Sequence, residues 1–123
     1  MRKTEFIYEA KLIRVVDGDT FVLQVDLGLD VYTISKFRLL GVDTPEVYGV
    51  KKGSDEWVRG KAASTFVQEW FDAHKGDVII HTHKATGDLA KGKYGRWLVE
   101  VHANDNTQDP SIGETLIAEK LVK

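Results

Sequence analysis

Up to Leu40 the apolar residues of this chain fall in short period-two runs broken by Gly and Asp, and only after Lys61 does the period lengthen to that of a helix. Phe21, Leu23 and Val25, set against Gln24 and Asp26, show the first pattern. Ala62, Phe66 and Trp70, flanked by Ala63, Val67 and Phe71, show the second. The runs predict strands over 5–16, 20–26 and 31–40, joined as a meander at Asp17-Gly18-Asp19 and Gly28. The polar stretch 46–60, with its glycines and Lys51-Lys52, reads as a surface loop. A helix over 61–74 then stops ahead of Gly76. A fourth strand begins at Val78, a Gly- and Lys-containing loop covers 85–95, and a fifth strand covers 97–102. After a turn-rich connector, Ser111 and Glu114 have the spacing of a capping box, which predicts a short closing helix carrying Leu116, Ile117 and Leu121. Five short strands with a helix between the third and fourth predict a five-stranded OB-fold barrel, mainly β within the α+β class, with two helices. No repeat or low-complexity block divides the chain, so 1–123 reads as a single domain.

With 42% hydrophobic and 29% charged residues, a chain of 123 can bury a sizeable core without a covalent staple. The absence of Cys excludes disulfides, thiolate metal sites and thiol nucleophiles. Seventeen basic and nineteen acidic side chains leave a net charge of −2, so the broad positive footprint of a general nucleic-acid binder is missing and any polyanion site must be local. No apolar run approaches the roughly 20 residues of a spanning helix, and no signal-peptide core follows Met1. The expectation is a soluble monomer with no membrane partner, cytoplasmic or, had a leader been removed, secreted.

Three segments could carry chemistry. Asp17-Gly18-Asp19-Thr20 places two carboxylates around a glycine, and by itself reads as an Asp-Gly turn. In Arg38-Leu39-Leu40-Gly41-Val42-Asp43-Thr44-Pro45-Glu46, Pro45 biases Thr44 towards extended backbone and stiffens the turn. The Thr44 carbonyl and the Asp43 and Glu46 carboxylates can then be held in one direction, the oxygen-rich setting a hard divalent cation takes. The third is Lys91-Gly92-Lys93-Tyr94-Gly95-Arg96, in a stretch where Lys84, Lys91, Lys93 and Arg96 face only Asp88. It is either a solvated basic loop or a surface where Tyr94 stacks on a base while Lys93 and its neighbours meet phosphate.

In order and spacing these segments resemble the staphylococcal (micrococcal, thermonuclease-like) nuclease family, a likeness that runs from about Glu9 onward. The resemblance implies an OB-fold barrel with three helices and Ca²⁺-dependent cleavage of DNA and RNA. It further implies that Asp19 and Asp43 bind calcium with the Thr44 carbonyl, that Glu46 acts on the attacking water, and that Arg38 and Arg96 hold the phosphate. Physical chemistry suits those roles: extra negative charge on a phosphoryl oxygen in the transition state calls for a cation and for guanidinium forks, which bind phosphate through two parallel hydrogen bonds. The family's third, C-terminal helix and the tyrosines before it have no counterpart up to Lys123, so it is expected to be absent or truncated.

The function expected is therefore a calcium-dependent endonuclease with little sequence preference, acting best on single-stranded DNA or RNA. The alternative is a non-catalytic single-stranded nucleic-acid-binding OB-fold module. Against it stand Asp19, Asp43 and Glu46, which would repel phosphate in a protein that only binds. His81 and His83 alternate along a strand and read as ordinary strand residues rather than a zinc pair. Trp57, Trp70 and Trp97 are expected in or near the core, and Asp17 is either a partner of the metal ligands or a turn residue.

Overall fold

The computed structural model describes residues 6–47, 49–82, 97–103 and 110–123. Its elements are β1 (Phe6–Asp17), β2 (Thr20–Gly28), β3 (Val31–Leu39), α1 (Asp55–Ala73), β4 (Asp77–Thr82), β5 (Trp97–His102) and α2 (Ile112–Ala118). The strands close into a barrel in the order β1-β2-β3-β5-β4, with the expected meander in its first three members. Closure uses β1 twice: its first half pairs with β4, from Phe6 opposite Thr82 to Lys11 opposite Asp77, while Glu9 to Asp17 pair with β2. Register shifts at Leu12/Arg14 and Val15/Asp17 bend β1 as it passes along β2, which is how a strand turns a barrel corner. The last seam, β3 to β5, is a short parallel pairing centred on Arg38 opposite Leu98.

Strand alternation fills the interior with Phe21, Leu23, Val25, Phe37, Leu39, Val78, Ile80, Val99 and Val101. Helix α1 lays Ala63, Val67 and Phe71 on this core, with Phe71 edge-on to Phe21 at a ring separation of 5.3 Å. Helix α2 adds Ile112 and Leu116 and opens with the expected capping box: Ser111 Oγ accepts from Glu114 N, and Glu114 Oε1 accepts from Ser111 N, both at 3.2 Å.

Two expectations need correction. Helix α1 starts at Asp55, within the stretch that reads as loop, because the Ser54 hydroxyl accepts from Trp57 N–H at 3.3 Å and Asp55 and Glu56 meet the positive end of the helix dipole. Trp97 is 38% exposed: it shares the inward parity of Val99 and Val101 but occupies the first, open position of β5. Trp70 does pack against the core.

Candidate active site

The β2–β3 register sets Thr20 opposite Arg38, and Leu39 N–H donates to the Asp19 carbonyl at 2.9 Å, so Asp19 and Arg38 emerge side by side at one end of the hairpin. Beyond β3 the chain swings through Gly41, and Val42 buries itself against Gly113 of α2, where a Cβ would stand only 3.0 Å from Val42 Cγ2. That anchor turns residues 43–46 back over Asp19.

Thr44 N–H donates to Asp19 Oδ2 at 3.0 Å and the Thr20 hydroxyl donates to Asp19 Oδ1 at 2.9 Å. Asp19 is 6% exposed, so these bonds and a nearby cation offset the cost of burying its charge. The cation is Arg38: its Nη2 lies 3.5 Å from Asp19 Oδ2 and 3.0 Å from Asp43 Oδ1. Asp43 is the solvent-facing member of the trio.

Two glycines let the surrounding backbone approach this closely. A Cβ on Gly18 would stand 2.8 Å from Ala63 Cβ and 3.0 Å from Thr44 Oγ1, so the Asp-Gly turn serves a tight approach of the hairpin to α1 and the loop. Gly60 lies inside α1, and a Cβ there would stand 2.7 Å from the Glu46 carbonyl and 2.8 Å from that of Pro45. The acid loop therefore rests directly on the helix backbone. The Glu46 carboxylate stays exposed at the loop's far end, 3.9 Å from the Lys123 ammonium.

The cluster fits a hard divalent cation by two observations. A single cationic nitrogen already stands within 3.5 Å of one oxygen from each of Asp19 and Asp43, so a small cation can reach both. Thr44 Oγ1, packed against the Gly18 turn, is buried with no hydrogen-bond partner among the described residues, a further oxygen on the same loop as Asp43. Among the described residues no three His, Asp or Glu side chains converge as a ready-made cage, so backbone carbonyls and solvent would complete the coordination.

Of the residues singled out from sequence, Asp19, Arg38, Asp43 and Thr44 are brought together, and Glu46 stands on the same loop. Lys93, Tyr94 and Arg96 lie outside the described residues, as does His83. The sequence reading missed Gly60, whose signal was a glycine just ahead of a helical pattern, and Lys123, which has no signal of its own. It also missed a cross-strand pair on β4 and β5. The rings of His81 and His102 lie 4.6 Å apart. Burial, foremost, and the neighbouring His81 push the His102 pKa below its ordinary 6.5, against the opposing pull of Glu100 and Glu114.

The family model for the Staphylococcal nuclease homologue matches residues 36–123. Among similar proteins, a thermonuclease of Staphylococcus intermedius is 37% identical over 92 residues, 75% of this chain and 47% of the relative. A thermonuclease of Staphylococcus hyicus is 34% identical over 113 residues, covering 92% and 54%. An uncharacterized protein of Methanocaldococcus jannaschii is 29% identical over 123 residues, covering 89% and 56%. The chain spans about half the length of these relatives. Because the matched region takes in Arg38, the acid loop and α1, and the barrel around them is the one the resemblance implies, the chain belongs to the family of staphylococcal nuclease homologues.

Proposed function

We propose that the chain is a calcium-dependent nuclease that hydrolyses phosphodiester bonds in DNA and RNA with little sequence preference. The observation that carries this reading is the trio Asp19, Arg38 and Asp43, two carboxylates and a guanidinium within ion-pair reach at the end of one hairpin. A phosphate-binding surface without chemistry gains nothing from paired carboxylates, which repel its ligand.

In this reading Asp19, Asp43 and the Thr44 carbonyl would hold calcium, which would supply Lewis acidity and charge neutralisation at the phosphoryl oxygens. Thr44 N–H and the Thr20 hydroxyl fix the Asp19 carboxylate, so its oxygens need no reorganisation when a cation arrives. Arg38, released from the two acids, offers its fork to the phosphate, and Arg96 supplies a second. Glu46 accepts a proton from water as the water oxygen bonds to phosphorus, and the bond to the leaving sugar oxygen breaks as that oxygen takes a proton from solvent to become a hydroxyl. Lys93 and Tyr94 meet backbone and base, which favours single-stranded substrate because only unpaired bases present a free face.

The test is cleavage of single-stranded DNA and RNA with calcium and then with chelator. Cutting that requires calcium supports the proposal; metal-independent binding with no cutting would move the chain to the binding-module reading.

A further inference from the structure

Residues 121–123 run beside the acid loop and are tied to it at two points. The Lys123 backbone N–H donates to the Asp43 carbonyl at 2.8 Å. The Lys123 ammonium stands 3.9 Å from Glu46 Oε1 and 3.8 Å from Glu56 Oε1. Three contacts bring the segment there. Leu121 N–H closes onto the Leu116 carbonyl at 3.0 Å as the chain leaves α2. Leu121 and Val122 pack against the core. Arg59 of α1 donates to the Val122 carbonyl at 3.4 Å. The root of the lysine is therefore fixed before its side chain finds a partner, which reduces the entropy cost that weakens most surface ion pairs. The two carboxylates it meets come from different elements, the acid loop and the first turn of α1.

We propose that Lys123 is a positioning residue for the acid loop: its N–H holds the Asp43 carbonyl, and its ammonium holds the Glu46 carboxylate against α1. The inference deepens the nuclease reading and rests on it for the role of Glu46. Without the ammonium, Glu46 faces the like charge of Glu56 uncompensated and turns outward, which impairs action on water and leaves substrate affinity alone.

Lys123→Met keeps the stem and the backbone N–H, and Lys123→Arg keeps the charge. Lys123→Met should lower kcat about two- to fivefold at unchanged KM, the scale of an exposed ion pair, and Lys123→Arg should restore it. Added to Glu46→Gln, Lys123→Met should cause no further loss, since the residue it acts through has already lost its charge. An equal loss in both backgrounds, or a raised KM at unchanged kcat, overturns the assignment. Hydrogen exchange on the full chain reads the backbone tether without any cleavage: the Lys123 amide should be protected, and exchange at the rate of a free amide overturns it. Wild-type protein that cuts nothing with calcium would sink the nuclease reading but not the tether, which the exchange measurement decides alone.

Discussion

Replacing Asp19 with Ala removes the acceptor for Thr44 N–H at 3.0 Å, the acceptor for the Thr20 hydroxyl at 2.9 Å and one of the two carboxylates facing Arg38. These losses are unequal. Thr44 is 1% exposed, so its N–H is left buried without a partner, which costs about 1–3 kcal/mol. The Thr20 hydroxyl can rotate and adds about 0.5 kcal/mol. Arg38 keeps Asp43 and some solvent, so its share is below about 1 kcal/mol. Asp19→Ala should thus destabilise the calcium-free protein by about 2–4 kcal/mol, or roughly 8–16 °C in Tm at about 4 °C per kcal/mol for a chain of this size. Asp19→Asn keeps an oxygen for Thr44 and an amide for Thr20, loses only the attraction to Arg38, and should cost about 1 kcal/mol or less. Both variants should lose the calcium-dependent stabilisation, which for wild type at a hundredfold excess over Kd amounts to about 2.7 kcal/mol. Urea denaturation with chelator and then with calcium separates the two effects. Equal destabilisation by Ala and Asn in chelator would show that the hydrogen bonds to Asp19 do not hold the acid loop. An undiminished calcium response in Asp19→Asn would remove Asp19 from the cation site.

Arg38→Lys should lower kcat by about a hundredfold or more, because an ammonium cannot reproduce a two-point phosphate contact; a change confined to KM in steady-state kinetics would reassign Arg38 to uniform binding. Gly60→Ala should destabilise by roughly 1–3 kcal/mol although Ala is the better helix former, since its Cβ would press on the Pro45 and Glu46 carbonyls; a raised urea midpoint would show that the loop does not rest on α1. His102 is held neutral in the fold with its pKa below 6.5, so the unfolded chain binds the extra proton: its contribution is complete above about pH 6.5 and is lost as pH falls towards the depressed folded value. Urea midpoints from neutral pH downward should show this slope in wild type, and its persistence in His102→Gln would assign it to another group.

The barrel was legible because period-two runs such as Phe21, Leu23 and Val25 can bury one face only as strands, and the break to period four marks the helix unambiguously. The start of α1 was not, because Gly60 reads as a loop residue until the carbonyls of Pro45 and Glu46 are seen against it. Among the site residues, Asp43, Thr44 and Glu46 share one rigid turn and Asp19 sits in a motif of its own, so sequence finds them without knowing that Thr44 N–H joins the two. Lys123 and the His81–His102 pair depend on where distant segments meet, and nothing local to either announces it.

The β2–β3 register alone sets Asp19 beside Arg38, whereas Asp43 comes back over Asp19 through the Val42–Gly113 contact with α2, and the seams that close the barrel join β1 to β4 and β3 to β5 across much greater sequence separations. Contacts of short sequence separation close early in folding, so Asp19 and Arg38 meet while the barrel is still open. Arg38 is therefore already paired with Asp19 when Asp43 arrives, and it offsets the repulsion between the two carboxylates as the loop docks as well as in the finished fold. A neutral residue at position 38 would consequently slow folding as well as weaken the folded state, a kinetic cost borne before any substrate is met.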